Sequence, residues 1–105
     1  MFQTKSNTSK NEELTKFKVI DGSIGTRTIL HKFRMGDVED PVLMAGAPIY
    51  DWQQTEHGKW CMENALGEVV FHTQMDYAAY DYTVVIVGYL KDTDLTYFNL
   101  KWGIK

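Results

Sequence analysis

The residues of this chain most capable of chemistry are its single cysteine, Cys61, and its three histidines, His31, His57 and His72. His57 and Cys61 are four positions apart, so a helix would project both side chains from one side, as half of a zinc site does. A tetrahedral site needs further ligands, and His31 and His72 fall in separate predicted strands without a neighbouring ligand. The pattern favours a buried thiol and an exposed imidazole over a metal site.

Cys61 could also act as a catalytic nucleophile, with His57 or His72 as its base. Such a thiol needs a lowered pKa, an orienting group and donors for an oxyanion. Trp60 and Met62 instead place bulky apolar side chains on both sides of it in the sequence, which favours an unreactive thiol.

The carboxylate pairs and the glycine-containing loop offer no stronger chemistry. Glu39 with Asp40, and Asp92 with Asp94, are accounted for by a helix cap and a polar turn. The loop at residues 22–25 fits neither the Walker pattern nor the dinucleotide-binding fingerprint. We therefore expect a protein that is not an enzyme, with no catalytic, cofactor-binding or metal-binding residues.

The charges are segregated along the chain. Up to Met35, seven Lys or Arg residues face three carboxylates, a net charge of plus four; from Gly36 onward, eleven carboxylates face four lysines, a net charge of minus seven. The sum is the whole-chain charge of minus three. A segregated field bears on association more than on fold, so we expect a protein partner or self-association.

Tyrosines add a second indication of an interaction surface. Tyr77, Tyr80 and Tyr82 lie at a loop-to-strand junction, where two alanines would leave the rings prominent, and tyrosine is enriched at interface hot spots. Aromatic residues are also ordinary strand residues. The residues expected to contact a partner are Lys5, Lys10, Lys16, Lys18, Arg27, Lys32, Arg34, Tyr77, Tyr80 and Tyr82.

Size and composition limit the architecture. A chain of 105 residues with 44% hydrophobic content fits one folded domain. Residues 1–13 are polar and rich in Ser, Thr, Asn and Lys, which predicts a flexible basic arm before a domain at residues 14–105. The polar start lacks the apolar segment of a signal peptide, and no apolar run is long enough to span a bilayer, so we expect a cytoplasmic protein without a membrane partner.

Hydrophobic periodicity predicts an α+β fold, with a mostly antiparallel sheet of about five strands and one or two helices between strands 2 and 3, packed on one face. Asp40 before Pro41 predicts a helix start, and the longer helix is open to a break at His57–Gly58 because of the cost of glycine. Gly67 is expected to end it in the left-handed conformation. The expected strands are 17–20, 26–35, 68–74, 82–90 and 95–102, with helices at 42–47 and 49–66; the pair 82–90 and 95–102 is expected to form a hairpin.

Three functions are open from the sequence. The first is a non-enzymatic interaction or assembly subunit, in which a basic arm and hairpin meet an acidic, tyrosine-rich face. The second is an inhibitor of a nucleic-acid-processing enzyme, whose acidic face imitates phosphates. The third is a small enzyme or metal protein that uses Cys61 with His57 or His72. The expected acidic face consists of Glu63, Glu68, Asp76, Asp81, Asp92 and Asp94.

Nucleic acid is a possible but disfavoured partner, because the pI is about 5.5 and the aromatic half of the chain is acidic. The short length, polar start and tyrosine-rich strands resemble small accessory proteins of phages and mobile elements. This resemblance rests on general character and on no motif, so it implies an accessory role and transfers no site residues.

Overall fold

The computed structural model describes residues 16–103, which form one antiparallel sheet of four strands and four helices. The predicted α+β fold is confirmed, with helices between the second and third strands, although the sheet has four strands instead of about five. The predicted arm at residues 1–13, which includes Lys5 and Lys10, lies outside the described residues. In chain order the elements are β1 (Phe17–Ile20), β2 (Ser23–Gly36), α1 (Pro41–Met44), α2 (Gly46–Gln53), α3 (Glu56–Asn64), β3 (Leu66–Asp76), β4 (Asp81–Leu90) and α4 (Asp92–Trp102).

The first hairpin is tighter than predicted. Asp21 and Gly22, with φ of 50° and 80°, form the whole turn between β1 and β2. Positive φ at both central residues matches the right-handed twist of the flanking strands, and Asp-Gly is a preferred pair for it. Ser23 and Ile24, expected in the turn, therefore pair with β1, and the hairpin register is fixed.

β4 lies in the middle of the sheet, as its apolar centre predicts, in the strand order β1-β2-β4-β3. Val84, Ile86 and Leu90 have no exposed surface and point towards the helices, where they join Leu30 and Phe98 in the core. Alternate residues of a strand face opposite sides of a sheet. The side chains of Thr83, Val85, Val87 and Tyr89 therefore face the side of the sheet that the described helices leave uncovered, which we call the helix-free face.

The helical segment between β2 and β3 is divided by a sharp elbow. Asp40 caps α1 as predicted, because its carboxylate accepts the Leu43 N–H at 3.2 Å. The break in the longer helix falls before Thr55, three residues ahead of the position expected from Gly58. The Thr55 hydroxyl accepts the Gly58 N–H at 3.0 Å and donates to the Trp52 carbonyl at 2.6 Å, so one side chain ends α2 and begins α3.

Gly67 adopts the expected left-handed conformation, with φ of 68°. It does not end the helix, because α3 stops at Asn64 and Gly67 already belongs to β3. It falls within the register irregularity between Leu66 and Val70, where β3 leaves its regular pairing with β4. The glycine therefore serves a bulge in the strand.

The fifth predicted strand, over residues 95–102, is wrong, because this segment is helix α4. The alternating pattern that suggested a strand includes Leu100, which is 83% exposed. The side chains that pack on the core are Leu95, Phe98 and Trp102, which recur at helical intervals of three and four residues. A helix therefore buries the apolar residues that matter, whereas a strand would have divided them between two faces.

Candidate functional site

A β-bulge gathers the basic side chains of β2 onto the helix-free face. Strict alternation would place Arg27 on the opposite side from Lys32 and Arg34. The register between β2 and β4 shifts by one residue between Ile29 and His31. An extra residue of this kind reverses the side of the sheet that every following β2 side chain faces. Arg27, Lys32 and Arg34 are therefore opposite Tyr89, Val85 and Thr83, all on the side of the sheet away from the core.

These predicted contact residues fall into two separate groups. Lys18 of β1 and Arg27 lie beside Tyr89, near the end of β4. Lys32 and Arg34 lie nearer its beginning, opposite Val85 and Thr83, about 13 and 20 Å from Tyr89 at roughly 3.3 Å per residue. Lys16, also a predicted contact, is exposed just before β1, and its carbonyl accepts the Arg27 N–H at 2.7 Å. In the structure, the basic residues of β1 and β2 thus form two separate groups.

The group at the beginning of β4 borders a groove of about 490 Å³, which we call the basic groove. Lys32 is exposed, and within the described residues it has no carboxylate within ion-pair distance. Arg34 donates from Nε to the carboxylate of Asp81. Lys32 is therefore the cation of the groove that forms no ion pair among the described residues, whereas Arg34 is partly neutralised by Asp81. The other lining residues include Gln74, Asp76 and Thr83.

Asp81 anchors this end of the sheet. It is 6% exposed, and its second carboxylate oxygen accepts the Gly36 N–H at 2.8 Å, while the first accepts from Arg34. A buried carboxylate is stable only when it is paired and hydrogen-bonded. Asp81 therefore offers little to the expected phosphate-imitating face, because its carboxylate is almost fully buried and both of its oxygens already accept hydrogen bonds.

The other members of the expected acidic face have local structural roles or stand alone. Asp76 accepts the Ala78 N–H at 3.1 Å and so holds the turn before β4. Asp92 and Asp94 lie in the first turn of α4, where negative charge is favourable to the helix dipole. Glu63 and Glu68 are exposed. The turn expected at 91–94 is thus the start of a helix.

Two tyrosines stand out from the turn between β3 and β4. Tyr77 is 79% exposed and Tyr80 is 67% exposed, and Tyr80 takes a left-handed φ of 50°. The turn projects from the sheet where β2 ends, since Tyr82 pairs with Gly36. Tyr82, the third predicted contact, is half-buried in β4 on the core side of the sheet. The prominent rings are therefore Tyr77 and Tyr80, next to the basic groove.

A histidine and tryptophan cluster, absent from the sequence-based interpretation, lies between the sheet and the helices. The His31 ring stacks on Trp52 with centroids 5.4 Å apart, His57 meets both rings edge-on, and Trp102 stacks on His57 at 4.8 Å. The indole N–H of Trp52 donates to Nδ1 of His57 at 3.3 Å, so neutral His57 carries its proton on Nε2. The exposed imidazole expected at His57 is wrong, because packing brings the residue under α4.

Burial sets the protonation of this cluster. It lowers the pKa of His31, and it lowers the pKa of His57, where the neighbouring His31 acts in the same direction. Nε2 of His57 is buried and makes no hydrogen bond of normal geometry among the described residues. The nearby Leu30 backbone has the smallest effect on the pKa of His57 and acts in the opposite direction, raising it. Both rings are therefore kept neutral near pH 7, about the pH at which an ordinary histidine begins to take up protons.

Cys61 is fully buried, and burial raises the pKa of its thiol to about 12. A thiol that stays protonated is neither a nucleophile nor a ready metal ligand. Among residues 16–103, no three or more His, Cys, Asp or Glu side chains are grouped as a metal site would require. The expected buried thiol is confirmed.

None of the helices formed by the described residues is both long and apolar enough to cross a membrane. Comparison with protein-family models, with curated proteins and with solved structures finds no match for this chain. The features of the molecule that bear on function are its groove, its exposed tyrosine turn and its charges.

Proposed function

We propose that the protein is a non-enzymatic assembly subunit that associates with a second copy of itself. In this proposal, the Tyr77–Tyr80 turn of one copy seats in the basic groove of the other. The observation that supports it is the position of two prominent tyrosine rings beside a groove bordered by Lys32, a cation that forms no ion pair among the described residues.

The chemistry of the two surfaces is complementary. A tyrosine ring attracts the ammonium of lysine or the guanidinium of arginine to its face, and it buries a large area at a small cost in conformational entropy. Asp76, at the base of the same turn, is exposed and brings a carboxylate towards Lys32 of the other copy. In the contact, the tyrosine rings of one copy would therefore lie against the cations of the groove of the other copy, with Asp76 and Lys32 as opposite charges at the rim.

The proximity of groove and turn within one molecule favours a closed dimer. Both lie at the end of the sheet where β2 ends and β4 begins. In a twofold dimer each surface of one copy meets the other surface of its partner, so two equal contacts form at once. Direct pairing of one β2 edge with another is disfavoured, because Lys32 and Arg34 would face like charges.

Enzymatic and inhibitory functions find less support. The thiol that could act as a nucleophile is buried and protonated, and Asp81 is unavailable to imitate a phosphate. Neither observation bears on the groove and the turn, which use side chains that are free to meet another protein.

Native mass spectrometry across a range of salt concentrations tests the proposal. We expect a dimer that weakens as salt rises, since the Debye length falls to about 10 Å at 0.1 M salt. The double variant Tyr77→Ser, Tyr80→Ser should be monomeric, whereas Tyr50→Ser, which removes another exposed tyrosine on α2, should dimerise normally. A wild-type protein that stays monomeric at low salt and high concentration would contradict the proposal.

A further inference from the structure

The second basic group borders a cleft of about 390 Å³ at the other end of the helix-free face. Pockets that bind small molecules span roughly 300 to 1,000 Å³, so this cleft is large enough for one. Its floor is apolar and comes from three strands: Ile20 of β1, Val70 of β3, and Val87 of β4. Val87 is only 3% exposed although the described helices leave this face uncovered, which shows that the cleft has depth.

Glycine at position 25 shapes this floor. A side chain there would meet Cβ of Tyr89 at 2.8 Å and Cδ1 of Leu66 at 3.0 Å. The distance to Tyr89 is shorter than real Cβ contacts show, and the distance to Leu66 is tighter than most, so a glycine here lets Tyr89 pack closely over the strand. The aromatic wall of the cleft therefore depends on a residue without a side chain.

Two cations face this apolar space. Nζ of Lys18 lies 5.7 Å from the centre of the Tyr89 ring. Arg27 is half-buried as a residue, and no carboxylate among residues 16–103 lies within ion-pair distance of its guanidinium. Glu68 also lines the cleft and brings one negative charge, and His72 is a further lining residue. A guanidinium without a counter-ion is a strong site for an anion, because it presents several donors in a fixed plane.

We propose that this cleft binds a small amphipathic carboxylate. Its anionic head lies between Arg27 and Lys18, and its apolar body lies on Val70, Val87 and Tyr89. The two cations supply the charge-assisted hydrogen bonds, and the floor supplies the apolar area that a free inorganic anion could not use. The head of this site is distinct from the proposed dimer contact, which lies about 13 to 20 Å away along β4.

Phenylbutyrate is a suitable probe, since it joins a carboxylate to an aromatic ring through a short chain. Titration of the full chain, followed by heteronuclear NMR, should give saturable shifts at the amides of Arg27, Val70, Val87 and Tyr89. The uncharged analogue phenylbutanol should bind at least about tenfold more weakly, because a hydrogen bond to a charged group contributes about 1.5 to 3 kcal/mol. Dimerisation measured on the same samples should be unaffected, so failure of this inference is separate from failure of the proposed function.

Charge-neutral variants locate the head of the ligand. Arg27→Gln should raise the dissociation constant of phenylbutyrate about tenfold or more, and Lys18→Gln, at an exposed position that is safe for folding, should raise it in the same direction. Lys59→Gln, at an exposed position on α3 that belongs to neither basic group, should leave it within about twofold. Shifts that do not saturate, shifts that map outside the cleft, equal binding of phenylbutanol, or equal effects of the Lys18 and Lys59 variants would each overturn the inference.

Discussion

Replacement of Gly58 by alanine should destabilise this protein, although alanine is the better helix former. An alanine Cβ at this position would lie 1.9 Å from the Trp52 carbonyl oxygen, 2.6 Å from its carbon and 2.8 Å from Cα of Gln53. All three are backbone atoms of α2, so no side-chain rotation relieves the contact. The elbow between α2 and α3 would have to open.

The magnitude follows from two opposed effects. Alanine in place of glycine gains about 1 kcal/mol in a helix interior, whereas forcing an extra group into a packed site costs about 1 to 3 kcal/mol, and more when backbone must move. The Trp52 carbonyl also accepts from Thr55 N–H at 3.0 Å and from Thr55 Oγ1 at 2.6 Å, and each of these hydrogen bonds contributes about 1 kcal/mol. We expect a net loss of about 1 to 3 kcal/mol.

Urea unfolding monitored by tryptophan fluorescence measures this loss. Gly46→Ala is the matched control, because an added Cβ in the first turn of α2 meets nothing within 4 Å. It should leave the free energy of unfolding unchanged or raise it by up to about 1 kcal/mol. A Gly58→Ala variant as stable as the wild type would refute the elbow geometry.

The remaining predictions concern buried polar groups. Cys61 should react with a disulfide reagent only after unfolding, because the pKa of its thiol is raised to about 12 by burial; fast labelling of the native protein would contradict this. Asp81→Asn should lower the free energy of unfolding by about 1 to 3 kcal/mol. Asp76→Asn, at an exposed position, should lower it by about 0.5 kcal/mol or less, and equal losses for the two variants would contradict the anchoring role of Asp81. The pKa values of His31 and His57 lie below 6.5 in the folded state, so the unfolded chain protonates first as pH falls. Stability should therefore be complete above about pH 7 and decline towards pH 5, and the double variant His31→Gln, His57→Gln should flatten that slope in pH-dependent denaturation.

The strands were predictable because their signals are local. Asp21-Gly22 fixes a hairpin, and the apolar run at 84–87 identifies a strand in the middle of the sheet. Helix α4 was not predictable, because the apolar residues of 95–102 fit the spacing of a strand and that of a helix equally well. Only the tertiary burial of Leu95, Phe98 and Trp102 decides between them, and the exposure of Leu100 is the consequence.

The candidate sites were predictable only as lists of residues. The sequence identifies basic side chains in β2 but not the bulge at Leu30 that places Arg27 with Lys32 and Arg34 on one face. Asp81 carries no local sign that it will be buried against Arg34. A possible signal for the elbow was Thr55, an N-cap residue directly before acidic Glu56.

The histidine cluster escaped prediction for the same reason. His31 and His57 come from β2 and α3, and they meet only because α2 folds Trp52 between the sheet and the elbow. The spacing along the chain suggests that His57 is paired with Cys61, whereas in the folded protein its ring contacts His31. Contacts between distant elements depend on how helices dock, which periodicity does not encode.

A charge-swap experiment tests the proposed self-association most directly. Lys32→Glu and Asp76→Lys should each prevent dimerisation alone, because each homodimer would hold two like-charge contacts. Mixed together, the two variants should form a heterodimer in native mass spectrometry, since the swapped pair and the original pair are then both of opposite charge. Two variants that dimerise alone as well as the wild type, or that remain monomeric when mixed, would contradict a contact between the basic groove and the tyrosine turn.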